Sequence, residues 1–420
     1  MRLPHSRPSW VTPAAVSTGA ALLALFFCLL IFPRVTRAVR ANVDPDRLGE
    51  LAGNILDGKG YVYANHGRWE TAFDRGPVYP AAVAALWKVT GETSAVPVQV
   101  FQSLLHGLMC WFVFRLASLL YPRRISLAAQ AACALHPMLL WYTARIWIET
   151  THTFLVTLSS YYFLLLLRDP SLFRGTLTGV ALGVASLTKS IILPFSLAAG
   201  CILAIRNGSR FRVAGVALAT ATILVVLPWT MRNYSASGMM IPVHTSLGLN
   251  IMQGDAIGER WRSIPLSSVA LWEDGSAKTD SLLSGTGLSA SEPAGDRLLI
   301  RAAVSHYVDH PFFWMGRAAV NALTFLYLSE SPAKSLFLAI LEFPLFGLAL
   351  WGVQRGGRAN QGTLILAAII VYFVFAHAFI VGWARYSVPI VPLLCVLGAG
   401  VLQDRRPAAP FAGDSPAAAG

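Results

Sequence analysis

The stretch VAGVALATATILVVLPWTMRN, residues 213–233, decides the fold. Between Arg212 and Arg232 it carries no charge, and its apolar body is long enough to cross the ~30 Å hydrocarbon core of a bilayer as one helix. Nine more apolar runs, at about 16–33, 96–120, 126–142, 151–167, 175–188, 190–205, 334–353, 363–381 and 387–402, repeat the pattern. The 420 residues are 55% hydrophobic and 13% charged, where soluble domains carry about a quarter charged residues, so most of the surface meets lipid. A soluble enzyme is excluded. The expected fold is an all-α integral membrane protein with about ten transmembrane helices and a long first outer loop carrying interfacial helices.

The formal charge of +12 sorts by membrane side instead of marking a nucleic-acid surface. Arg2 and Arg7, Arg123 and Arg124, Arg168 and Arg174, Arg206, Arg210 and Arg212, Arg355 and Arg358, and Arg405 and Arg406 all fall on one side. They face only Asp169, Asp404 and Asp414 there. By the positive-inside rule that side is cytoplasmic, both termini included. The run 16–32 is long and lacks a small-residue cleavage site, so it reads as a retained helix and not as a signal peptide.

Two runs test the parity. Counting 312–328 as a span would turn Arg355 and Arg358 outward and bury Arg317, so it reads as a helix in the outer interface. The run 175–205 is short for two crossings but must turn back, with Lys189 at the outer turn. Outer loops then cover 34–95 and 231–333. In the first, Asp44-Pro45 precedes Leu48, Leu51, Ala52 and Ile55 on one helical face that Gly58 should stop, with Asp44 as N-cap and proline in the first turn. In the second, 297–309 reads as a helix ended by His310-Pro311. The membrane domain is expected over 1–402, with a disordered cytoplasmic tail at 403–420. Cys28, Cys110, Cys133, Cys201 and Cys395 lie singly in apolar blocks and read as small core residues; no metal or cofactor site is legible.

Charges near membrane depth are costly unless paired or facing a cavity, so those at outer span ends are the first functional candidates. They are Asp44, the run Asp74-Arg75-Gly76-Pro77-Val78-Tyr79-Pro80, Glu149, Lys189, Arg232-Asn233 and Arg385-Tyr386. Cations around one or two carboxylates suit transfer from a lipid phosphate: the cations hold the departing phosphate, and a carboxylate takes the proton of an attacking hydroxyl.

The arrangement Asp44-x-x-x-Leu48-x-x-Leu51-Ala52-x-Asn54-Ile55-Leu56-x-Gly58-x-Gly60-Tyr61, followed by Arg75-Gly76-Pro77-x-Tyr79-Pro80, resembles the first outer loop of the GT-C membrane glycosyltransferases. Family 39 is the most similar branch, holding the protein O-mannosyltransferases and, more loosely, the lipid A aminoarabinose transferase. Leu187-Thr188-Lys189, Leu227-Pro228-Trp229-x-x-Arg232-Asn233-Tyr234, Gly248-x-Asn250 and Arg385-Tyr386-x-x-Pro389 follow in the same order. The resemblance implies a base at Asp44, a second acid at Glu149, and phosphate contacts at Arg75, Lys189, Arg232 and Arg385. It also implies an inverting transfer from a polyprenyl-phosphate sugar at the outer face of a bacterial inner membrane. The acceptor stays open between protein, lipid A, glycan and cell-wall polymer. Leu48 stands where the family has Tyr, and Asp46 is a competing carboxylate.

Each residue has a plainer reading. Asp44 suits a helix cap, Arg75 an anchor in a Pro/Gly turn, Lys189 a snorkelling side chain and Arg232 an interfacial belt. Glu149 needs a partner, either Arg145 or the site. The histidines, His66 and His244 among them, read as structural. The rival function is a multi-pass transporter or flippase, which would place its charges at the midplane with repeat symmetry; a catalytically inactive scaffold is the third reading.

Overall fold

The computed structural model describes residues 12–39, 44–65, 67–259, 265–356 and 361–403. His66, the arginines at 2, 7, 358, 405 and 406, and the tail from 404 onward lie outside them.

The first run is one rod: α1 (Pro13–Phe26) passes through a π-turn into α2 (Phe32–Val39). Thr12 caps it, accepting from the Ala15 amide at 3.1 Å, and Pro13 fills the first helical position. The first long loop holds α3 (Leu48–Leu56), the hairpin β1 (Val62–Asn65) and β2 (Arg68–Thr71), and α4 (Val78–Thr90). The hairpin is antiparallel, pairing Val62 with Thr71 and Asn65 with Arg68. Then follow α5 (Ala95–Ser118), α6 (Arg123–Leu135), α7 (Pro137–Thr143), α8 (Glu149–Arg168), α9 (Leu172–Thr188), α10 (Ile192–Ile205) and α11 (Ser209–Ser237). The second long loop holds α12 (Leu247–Glu259), α13 (Ser268–Leu283), α14 (Pro293–Asp309) and α15 (Pro311–Thr324). The chain ends in α16 (Pro332–Gly356), α17 (Gln361–Phe379) and α18 (Val391–Ala399), the last entered through 3-10 turns at 384–390.

All ten apolar runs are helical. Among the described residues seven helices are long and apolar enough to cross a membrane, or eight if α6 and α7, bent by 51° at the break before Pro137, count as one span. α9 and α10, with 17 and 14 residues, are shorter, and both pack on α11. The deep core lies where α5, α6 and α8 meet α18, whose Leu393, Cys395, Val396 and Leu397 are all buried.

Three expectations need correcting. α3 starts at Leu48 and not at Pro45: Pro45 and Asp46 form a turn, and Arg47, in left-handed backbone at φ 56°, occupies the cap position. Arg317 on α15, whose burial counted against a span there, is buried all the same. The side chain is 1% exposed, pairs with Asp255, and donates to the carbonyls of Ile251, Phe379 and Ile380 at 3.1, 3.0 and 2.7 Å. Its charge is thereby matched inside the protein. Finally, four cysteines are core residues but Cys201 is exposed on α10.

Successive antiparallel helices bring the turns 143–149, 189–191, 238–246 and 380–386 to one end of the bundle, beside the first loop. The candidate site forms there.

Candidate active site

Arg75 is fixed by its neighbours' backbone. The loop 74–77 lies so tightly on the end of α9 that a methyl at Gly76 would collide with the Leu187 carbonyl oxygen. The Tyr61 hydroxyl reaches the carbonyls of Arg75 and Gly76 at 3.1 and 3.0 Å. Lys189 caps the C-terminus of α9 and so enters from the same wall. Glu149 opens α8 after a turn pinned by α5: Gln102 Nε2 donates to the carbonyls of Thr143 and Arg145, at 3.1 and 2.7 Å, and Gln99 Nε2 to that of Ala144 at 2.9 Å. Arg385 rides on the 3-10 turn beneath α18, stacked near Trp147 and Tyr386.

These side chains meet around a cavity of about 230 Å³ whose walls include Asp46, Asp74, Arg75, Lys189, His244 and Arg385. Arg75 lies 3.7 Å from Asp46 and 3.2 Å from Asp74, and Arg385 lies 3.4 Å from the other Asp46 oxygen. Lys189 Nζ contacts Glu149 Oε1 at 2.9 Å; Glu149 is fully buried behind it. Burial raises the Asp46 carboxyl, but Arg385, Arg75, Lys189 and Arg145 outweigh it and hold it below the ordinary carboxylate range. Burial likewise works against the Arg75 charge, and Asp74 with Asp46 raise its pKa all the same. The Nε atoms of Arg75 and Arg385, and Asp74 Oδ1, are buried without a hydrogen-bond partner among the described residues. Two guanidinium groups and an ammonium lining one cavity are an anion-binding arrangement.

Asp44 and Arg232 stand apart from this wall. Both Asp44 oxygens accept from the start of α3, Oδ1 from Leu48 N and Oδ2 from Gly49 N, each at 2.8 Å. Burial raises its pKa above what those amides take back. Arg232 donates to the carbonyls of Ala72 and Tyr61, at 3.0 and 3.1 Å, between the rings of Tyr61, Phe73 and Trp229. It ties the hairpin to α11. Arg145 pairs with Glu330 at 3.4 Å, so the partner of Glu149 is Lys189.

The sequence read His244 as structural, showed Asn250 only within the motif Gly248-x-Asn250, and singled out none of Ser246, Gln253, Trp272 and Trp383; all six line the cavity. A signal existed for three of them, since 246, 250 and 253 fall on one helical face. His244 is held neutral, its pKa lowered to about 4 by burial and by Arg75 and Lys189. Among the described residues no three His, Cys, Asp or Glu side chains gather as a metal site.

Residues 74–231 match the family model described as dolichyl-phosphate-mannose-protein mannosyltransferase. No curated protein matches the chain by sequence. Among solved structures, the archaeal oligosaccharyltransferase AglB from Archaeoglobus fulgidus, in complex with an inhibitory peptide and a dolichol-phosphate, superposes with a TM-score of 0.55 at 13% identity over 93% of this chain and 50% of that one. The apo form of the A. fulgidus oligosaccharyltransferase gives 0.56 at 13% over 93% and 50%. ArnT from Cupriavidus metallidurans bound to undecaprenyl phosphate gives 0.42 at 15% over 92% and 77%. The chain thus spans about half the length of the oligosaccharyltransferase. Over nearly its whole length the chain shares the fold of part of that oligosaccharyltransferase.

Proposed function

We propose that this chain, a GT-C fold with its charges gathered at one end of the bundle, is a glycosyltransferase that moves a sugar from a polyprenyl-phosphate donor to an acceptor hydroxyl. One observation carries the reading: three cations, Arg75, Lys189 and Arg385, converge with Asp46 on one cavity. The family model's description names a dolichyl-phosphate sugar, and the AglB complex contains a dolichol-phosphate; both support a polyprenyl-phosphate ligand.

Arg75, Lys189 and Arg385 hold the phosphate and take up the charge that grows on it as the bond from C1 to the phosphate oxygen breaks. Asp46 takes the proton as the acceptor oxygen bonds to C1 from the opposite face, which inverts that carbon. Glu149 holds Lys189 in place. Asp44, with both oxygens on helix amides, shapes the loop that presents Asp46. The arginine distribution supports a cavity at the periplasmic face of an inner membrane. The acceptor class stays open.

The test is binding of undecaprenyl phosphate to the protein in nanodiscs. Arg75→Ala and Arg385→Ala should each weaken it at least about tenfold, as loss of a charge-assisted contact does. Wild-type affinity in both variants overturns the proposal.

A further inference from the structure

The cavity has a second wall with a different chemistry. Besides the cations, Ser246 just before α12, Asn250 and Gln253 on α12 and Trp272 on α13 line the cavity, none of them charged. Positions 246, 250 and 253 follow one another at helical spacing along one face. α13 closes over that face at Gly275, where an added methyl would sit 2.7 Å from the Gln253 Cα. The close crossing leaves Gln253 2% exposed and sets Trp272, one turn earlier and 51% exposed as a residue, at the cavity.

The Gln253 side chain makes no hydrogen bond among the described residues, and its amide is not one of the polar atoms sealed in the interior, so it opens on the cavity that the residue lines. A primary amide carries two donors and an acceptor. Trp383 also lines the cavity, with its indole N–H buried and without a partner among the described residues. Asn250 uses Oδ1 to accept from the Tyr386 hydroxyl at 3.2 Å, which leaves its NH₂ available. The backbone N–H of Ser190 donates to His244 Nε2 at 3.4 Å, so the His244 proton is on Nδ1, 3.1 Å from Ser246 Oγ. Ser246 accepts there and keeps its own O–H to give.

The charges on the other wall are already matched. Arg75 faces Asp46 and Asp74, Arg385 faces Asp46, and Lys189 faces Glu149. A sugar bearing an ammonium group would find no unpaired carboxylate. One bearing a carboxylate would add a second anion beside the phosphate. Amides, a hydroxyl and indoles suit a ring of neutral hydroxyls, with Trp272 as a stacking face.

We propose that Gln253, with Asn250 and Trp272, reads the donor's sugar and selects an uncharged polyhydroxylated ring. This rests on the polyprenyl-phosphate reading above. The experiment measures binding to the full chain in nanodiscs of four short-chain probes: bare prenyl phosphate and its conjugates with a neutral hexose, an amino sugar and a uronic acid. The neutral conjugate should bind best, about tenfold or more above bare prenyl phosphate. Gln253→Leu should remove most of that increment and leave bare prenyl phosphate bound as in wild type, which also shows the variant is folded. Gln253→Glu should raise the amino-sugar conjugate relative to the neutral one. An unchanged increment in both variants, or a charged sugar bound best by wild type, overturns the inference while the donor reading stands. Absence of bare prenyl phosphate binding overturns both.

Discussion

Asp44 and Asp46 are two residues apart and serve different ends. The left-handed turn at Arg47 delays α3, so Asp44 folds back onto the amides of Leu48 and Gly49 while Asp46 faces Arg75 and Arg385. Asp46→Asn should therefore slow transfer by about 10²–10⁴-fold without loss of folding, the usual worth of a general base. Asp44→Asn keeps one acceptor for two amides and should lose about 1 kcal/mol of stability while turning over within a few-fold of wild type. Turnover assays and thermal melts of the two variants separate the roles; the opposite pattern moves the base to Asp44. His244 supplies a pH signature. It titrates at about 4 when folded, against about 6.5 unfolded, so between those values the unfolded chain holds one proton more. Its contribution is full above pH 6.5 and falls on acidification, by up to about 1.4 kcal/mol per pH unit, until pH 4. His244→Gln should flatten the acid side of the melting profile, and an unchanged slope would show that its protonation is not coupled to folding. From sequence, both aspartates were visible as candidates, but the direction of each carboxylate was not, because one backbone dihedral sets it.

At the scale of elements, the first loop is held to the bundle by contacts that no local pattern announces. The hairpin escaped the sequence reading because β2 is exposed along its whole length and shows no alternation of apolar and polar residues. Arg232 fastens its base by donating to Tyr61 and Ala72. Arg232→Met should lower stability by about 1–3 kcal/mol, since two carbonyls lose their donor, and leave undecaprenyl phosphate affinity near wild type. A loss of affinity as large as that of Arg75→Ala, with stability intact, would return Arg232 to the phosphate site. Gly76→Ala attacks a different joint. Its methyl must push the loop off the Leu187 carbonyl and carry Arg75 with it, so donor affinity and melting temperature should fall together. Unchanged affinity would mean that the loop yields without moving Arg75.

Over the whole molecule, arginine placement makes a topological prediction. A reporter fused after Arg212 should lie in the cytoplasm, and one inserted at Gly285, in the turn after α13, on the other side of the membrane. A cytoplasmic signal from Gly285 would put the cavity on the wrong face for an extracytoplasmic donor. The amino-acid sequence by itself determined the membrane class, the ten helical runs and the residue types the chemistry needs. Backbone groups in lipid must be satisfied within a helix, so apolar length alone dictates these elements. Only the tertiary structure decided that Asp46 meets Arg385 across 339 positions of chain, that Arg232 donates to the carbonyls of Ala72 and Tyr61, and that Gln253 lines the cavity. Those outcomes depend on which helix ends share one end of the bundle and which way each side chain turns, and neither quantity has a period or a spacing along the chain.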